Sequence, residues 1–262
     1  VFAAWFARSR ARERGGRFLL RLEDIDRERA RPEYAAALQA DLVWLGLAWD
    51  GEVLVQSQHR ERHAAALAAL RDRGLVYPCF CSRADVLREL ACAAGAPHGP
   101  DGAPLYPGTC KALGSEERLR RIAAGAAHAW RLDMARAAPL APALSYQEEG
   151  RGRVACAPAR FGDVVLWRRE GGSYHLCATA DDAWQGVTLV TRGEDLRDAA
   201  DLHRLLQCLM GWPEPAYAHH RLLTDAQGRR LAKRDAAAGV DALRASGCDP
   251  ARVLALAGCG SG

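Results

Sequence analysis

Residues 173–195 read SYHLCATADDAWQGVTLVTRGED. Leu176, Ala180 and Ala183/Trp184 recur at helical spacing, which predicts a helix over Tyr174–Trp184 with one buried face. Gly186 can end that helix, because glycine tolerates the left-handed cap conformation. Val187, Leu189 and Val190 then suit a buried strand. Arg192 and Gly193 leave its C-terminal end, where open α/β sheets place their ligand-contacting groups. A phenol at Tyr174 and a guanidinium at Arg192 would suit an amino acid or another small carboxylate. The plainer reading is a buried helix–strand pair with a surface arginine.

Working outward, residues 1–14 read as the tail of an amphipathic helix closed by Gly15 and Gly16. Because Val1 falls inside this helix, the chain reads as a piece without its natural start. Residues 17–23, RFLLRLE, suit a buried strand running into Glu23, Asp24 and Asp26. Carboxylates at a sheet edge can bind a substrate ammonium or a metal, or simply cap the next helix. Pro32 suits the first turn of a helix striped by Leu38, Leu42 and Leu45 and stopped at Gly46. A second helix is expected over residues 59–73, with Leu67 and Leu70 inward, then a strand over 75–77. This alternation predicts a parallel sheet covered on both faces. From Cys79 to about Arg160 the chain reads as an insertion, after which the sheet domain resumes over 161–224, with a basic loop and helical tail over 225–262. A helix over Ala199–Met210 and a last strand over His219–Leu223 complete the expected elements.

Cys79-x-Cys81, with Tyr106 and Cys110, is the sharpest local signal. Thiolates are good zinc ligands, and four donors complete a tetrahedral site. Cys92 and His98 are alternatives to Tyr106 for the fourth place, and four unligated side chains in a loop are the plainer reading. The chain has nine cysteines and no secretory signal. A reducing compartment, the cytoplasm, is therefore expected, and clustered cysteines read as metal ligands before disulfides. Cys156, Cys177, Cys208, Cys248 and Cys259 are expected to act as small apolar residues.

Hydrophobic residues make up 49% of the 262, charged residues 26%, and the net charge is +4. That balance is globular, and it permits a nucleic-acid partner without requiring one. No apolar run approaches the length that spans a bilayer. Lys111 and Lys233 are the only lysines among 36 basic residues, a bias that points to coding-DNA composition. Lys233 lies in GRRLAKRD, residues 228–235, which suits phosphate neutralisation or a solvated basic turn. The two common glycine-rich phosphate loops are absent.

GGRFLLRLEDIDRERARPEY, WLGLAWD, QSQ at 56–58, the stretch from Ser173 and RRLAKR at 229–234 occur in this order over nearly the whole chain. Together they resemble the glutamyl-tRNA synthetase family of class I aminoacyl-tRNA synthetases. RRLAKR is similar to the family's mobile signature loop, with Arg230 and Ala232 where Lys and Ser are usual. The family's first His-x-Gly-His-like signature would fall before Val1. The cysteine pair with Tyr106 and Cys110, and the absence of room for an anticodon-binding domain, resemble the branch that acts on queuosine in tRNA(Asp).

The resemblance implies a Rossmann-like α/β catalytic domain with an inserted zinc-containing α+β subdomain. It implies ATP as a substrate with Mg2+, a structural zinc on Cys79, Cys81, Tyr106 and Cys110, and a monomer. Glu23 would hold the α-ammonium of L-glutamate, Tyr174 would line its pocket and Arg192 would pair with a carboxylate. Lys233 would bind the ATP phosphates and act in catalysis. The partner would be the anticodon stem-loop of tRNA(Asp), glutamylated on queuosine without tRNA being needed for activation. Two other readings are a catalytic fragment that charges a tRNA 3′ end and a tRNA- or zinc-binding module without catalysis.

Overall fold

The computed structural model describes residues 1–26, 30–91, 98–224 and 239–259. Its strands are β1 (Arg21–Leu22), β2 (Leu54–Val55), β3 (Val76–Cys79), β4 (Ala129–Leu132), β5 (Ser145–Glu148), β6 (Gly152–Ala155), β7 (Val165–Arg168), β8 (Gly171–Gly172), β9 (Leu189–Gly193) and β10 (Ala216–His220). Its helices are α1 (Phe2–Glu13), α2 (Pro32–Trp44), α3 (Arg60–Asp72), α4 (Arg83–Ala91), α5 (Ser115–Ala123), α6 (Met134–Ala137), α7 (Tyr174–Trp184), α8 (Ala199–Met210), α9 (Val240–Ala245) and α10 (Pro250–Leu256). The chain forms two compact units, one of residues 1–57, 191–195 and 218–262, the other of residues 58–190 and 196–217.

In the first unit, β1 and β2 pair in parallel, Arg21 with Leu54 and Leu22 with Val55. The expected strand over 17–23 is thus only two residues long, although Phe18 is buried beside it. Pro32 opens α2, and Leu42, Leu45 and Leu47 bury against Val253 of α10. Leu38 falls on the outer face instead, since α2 turns only part of its expected stripe inward. Arg12 grips Asp50 through two nitrogen–oxygen contacts of 2.8 and 3.0 Å, and Asp50 also accepts the Phe18 N–H at 2.7 Å. That bidentate pair fixes the chain entering β1.

The second unit is built on an antiparallel sheet of order β3-β4-β7-β8. β3 pairs antiparallel with β4, so the strand at 76–79 does not extend a parallel sheet. Pro78 lacks an N–H and is tolerated because β3 is an edge strand. The core is Leu70 of α3, Leu132, Leu166, Leu176 of α7 and Leu202, Leu205 and Leu206 of α8, all fully buried. Ser173 caps α7 through its side chain, and Gly211 (φ 65°) ends α8 in the left-handed conformation that glycine adopts without cost. At Gly172 a side chain is excluded, because a Cβ there would lie 2.4 Å from Cys177 Sγ. The stretch read as an insertion holds regular elements, among them helix α5 and the hairpin β5-β6. β10 runs parallel to β5, with Tyr217 opposite Glu148.

One polar network inside this unit ties the cysteine-bearing segment to the sheet. Asp163 accepts the Tyr77 hydroxyl at 2.6 Å and the Met134 N–H at 2.8 Å, and it lies 3.1 Å from Lys111 Nζ. Lys111 also meets Asp133 at 2.6 Å. Burial would lower the Lys111 pKa, but the two carboxylates outweigh it and raise the value. Burial, then the bond to Asp163, pushes the Tyr77 phenol up, so it stays a donor. Removing one partner of such a pair strands the other charge. Asp163→Ala should therefore cost at least about 3 kcal/mol, measured as a lower urea midpoint with an unchanged slope.

Candidate metal centre and substrate residues

The second unit brings Cys79, Cys81 and Cys110 together. β3 ends at Cys79, and the turn that follows lifts Cys81 beside the 105–110 loop. The three sulfurs lie within 4.8 Å of one another, with Cys81 Sγ and Cys110 Sγ 3.4 Å apart. Tetrahedral zinc thiolates place their sulfurs about 3.8 Å apart, so this spacing fits one ion. The Tyr106 hydroxyl lies 3.4 Å from Cys81 Sγ and accepts the Cys110 N–H at 2.8 Å. It therefore stands where a fourth donor is needed. His98 instead pairs with Pro104 in an isolated bridge, and Cys92 lies outside the described residues.

The electrostatics of the trio are divided. Burial pushes the Cys81 thiol up to about 12. Burial also pulls Cys110 upward, but the Tyr106 hydroxyl and the Phe80 N–H outweigh it and hold that thiol below its usual value. Burial raises the Tyr106 phenol, and its cysteine neighbours raise it further. Without a cation, Cys81 and Tyr106 therefore resist ionising beside Cys110. A divalent ion removes that conflict, because it binds thiolates and displaces their protons.

The surroundings hold the trio rigidly. Ser82 and Asp85 form a reciprocal capping box at the start of α4, with bonds of 2.8 Å and 3.1 Å. Arg131 stacks 3.9 Å over the Tyr106 ring and donates to the Asp163 carbonyl at 2.8 Å. A cleft of about 530 Å³ opens beside Cys81 and Cys110, lined also by Phe80, Arg88 and Arg121. Arg131 and Asp163 were not legible as supports of this centre, since neither belongs to a motif. Lys111 carried one signal, its rarity.

The expected substrate residues are distributed between the units. Glu23 is exposed in the first unit and pairs with Arg21 at 3.3 Å. Its neighbour Asp24 accepts both the N–H and the hydroxyl of Ser57, at 2.8 and 2.6 Å, which is a structural anchor. Arg192 belongs to the same unit, buried within β9 and not beyond its end. Tyr174 is in the second unit at the first position of α7, half-exposed, with the His175 and His203 rings 5.5 and 5.6 Å away. Lys233 and the signature loop lie outside the described residues.

The acidic pair Asp181-Asp182 in α7 is buried. Asp181 Oδ1 lies 2.9 Å from His63 Nε2 and 3.1 Å from an Arg62 guanidinium nitrogen, so it locks α7 to α3. Trp184, expected on the buried face, is exposed at 59%. Cys208 is exposed too, unlike its buried counterparts Cys177 and Cys259.

Residues 3–260 match the family described as tRNA synthetases class I (E and Q), catalytic domain. The chain is 48% identical to the glutamyl-Q tRNA(Asp) synthetase of Rhodobacter capsulatus, over 98% of this chain and 94% of that protein. It is 45% identical to the protein of the same name from Nocardia farcinica, over 94% of this chain and 74% of the relative. A crystal structure of a glutamate tRNA ligase from Elizabethkingia meningosepticum, in complex with its amino acid, superposes with a TM-score of 0.74 at 24% identity, over 89% of this chain and 48% of that one. The likeness to that structure is one of fold, and the present chain spans about half its length. The family match over nearly every residue and the long, well-covered relatives place the chain among the class I tRNA synthetases (E and Q), and within them in the family of the glutamyl-Q tRNA(Asp) synthetases.

Proposed function

We propose that the protein activates L-glutamate with ATP, without needing tRNA, and transfers it to queuosine in the anticodon loop of tRNA(Asp). The observation that carries this reading is the Cys79, Cys81, Cys110 and Tyr106 centre, set in a chain 48% identical to the Rhodobacter capsulatus glutamyl-Q tRNA(Asp) synthetase. The glutamate α-carboxylate attacks the α-phosphorus of ATP, and pyrophosphate leaves. A hydroxyl of the queuosine cyclopentenediol then attacks the activated carbonyl, and AMP leaves as the ester forms. Little covalent chemistry falls to the protein, which must position the reactants and balance their charge.

In this reading Glu23 holds the substrate ammonium, Tyr174 lines the pocket and Arg192 presents its planar fork to a carboxylate. Lys233 neutralises the phosphates alongside Mg2+. Zinc on the three thiolates and Tyr106 supplies structure, and the subdomain over residues 79–160 orients the RNA loop. The protein works as a monomer in the cytoplasm. Among the described residues, no helix is long and apolar enough to cross a membrane.

The acceptor is tested with labelled glutamate and tRNA(Asp) with or without queuosine. Transfer should require queuosine, fail after periodate cleavage of the diol and survive removal of the 3′-terminal adenosine. Dependence on that adenosine instead would make the protein a 3′-end charging enzyme. Arg192→Lys should raise the glutamate KM about 10- to 150-fold, the effect of losing a charged hydrogen bond of about 1.5–3 kcal/mol, read by ATP–pyrophosphate exchange. For the metal, elemental analysis should give one zinc per purified chain, and Cys81→Ser should release most of it.

A further inference from the structure

Six of the seven tryptophans are at least partly packed, and Trp184 at the C-terminal end of α7 is exposed at 59%. It is not a loose side chain. The Arg62 guanidinium stacks 3.8 Å from the indole centroid, and the His59 ring lies 5.5 Å away. Arg62 is itself held, 3.1 Å from the fully buried Asp181 and 3.1 Å from His59 Nδ1. All four residues belong to the second unit. The result is a fixed cation–aromatic plane, open to solvent and anchored to the core through one buried carboxylate.

The charge around it has one sign in excess. Arg60 begins α3 and donates to the carbonyls of Arg169 and Glu170, neutral acceptors that leave its charge in place. Arg60, Arg168 and Arg169 outnumber Glu61 and Glu170 in those two segments, while the charge of Arg62 is paired with Asp181. A large open ring in a basic setting fits a polyanion with flat apolar faces, which is the chemistry of RNA. Base–aromatic stacking is sequence-tolerant and needs an unpaired base, and arginine adds a cation–π contribution. Pre-fixing Arg62 also removes the entropy cost of ordering it on binding.

We infer that the Trp184–Arg62–His59 plane is a docking platform for an unpaired RNA base, with the arginines at the start of α3 and the end of β7 attracting the backbone. This rests on the reading of the protein as an enzyme that acts on tRNA. It assigns a binding surface that the glutamate and metal residues do not supply.

The test uses Trp184→Ala and Trp184→Phe in the full chain, with fluorescently labelled tRNA(Asp) followed by anisotropy. Trp184→Ala should weaken binding about tenfold, and Trp184→Phe should keep most of the affinity because a ring remains. Glutamate-dependent ATP–pyrophosphate exchange should not change in either variant. An RNA stem-loop with abasic loop sites should bind wild type and Trp184→Ala alike. Unchanged tRNA affinity in Trp184→Ala overturns the inference. So does a loss of affinity that persists equally with the abasic stem-loop, since no base would then be stacked. If Trp184→Ala instead alters only self-association in sedimentation, the ring covers a protein interface and the inference falls. The acceptor reading fails separately: an enzyme that binds tRNA through Trp184 yet transfers no glutamate to queuosine keeps the platform and loses that reading.

Discussion

Asp163 is a buried carboxylate that serves three donors from three parts of the chain. Tyr77 reaches it from β3, Met134 from the start of α6, and Lys111 from the residue after Cys110. An isolated carboxylate at that depth would be expensive to ionise. Its donors satisfy the carboxylate and, in return, fix the strand that ends in Cys79 and the turn that carries Cys110. Two of the three sulfurs, those of Cys79 and Cys110, are placed beside this one group. Arg131 adds a second tie, since it donates to the Asp163 carbonyl and stacks on Tyr106. Three of the four proposed metal donors are therefore linked, within one or two residues or one contact, to the same anchor.

A second buried carboxylate plays the matching part between α7 and α3. Asp181 takes His63 and Arg62 from α3, and it sits on the helix that begins at Tyr174. The position of Tyr174 is thus set by Ser173 capping and by Gly172, where no side chain fits beside Cys177. Both anchors use the same physics. A carboxylate taken out of water takes its partners from other elements, and losing them leaves an unpaired buried charge. Such sites hold geometry more sharply than apolar packing does, because their bonds are directional.

Periodicity and punctuation made much of this fold legible. The helix at 174–184, its end at Gly186, the Pro32 start and the Gly46 stop agree with the structure because each depends on local backbone preferences. What failed was non-local. β3 pairs antiparallel with β4, more than fifty residues later, and no local pattern encodes that partner. The β5-β6 hairpin was hidden because Arg, Gln and Glu interrupt its alternation. Trp184 satisfied the helical stripe but stands outside, because a stripe only marks where a face may be buried. The cysteine spacing foretold a cluster, and the structure supplies what spacing lacks, the convergence of the sulfurs.

Lys111 shows how composition can mark a site. In a chain where arginine has replaced nearly every lysine, a surviving ammonium needs a local reason. Its nitrogen meets Asp133 at 2.6 Å and Asp163 at 3.1 Å, with the Tyr77 ring 5.9 Å away. An ammonium is a compact point charge with three rotatable donors, so it can satisfy two carboxylates on different elements. A guanidinium is a rigid planar fork, suited to one carboxylate gripped by two parallel bonds, as Arg12 grips Asp50. It is also larger, and the space between Asp133 and Asp163 is bounded by Tyr77 and by the backbone that leads into α6. The two carboxylates on different elements therefore suit the compact ammonium of Lys111, one residue from the cysteine centre.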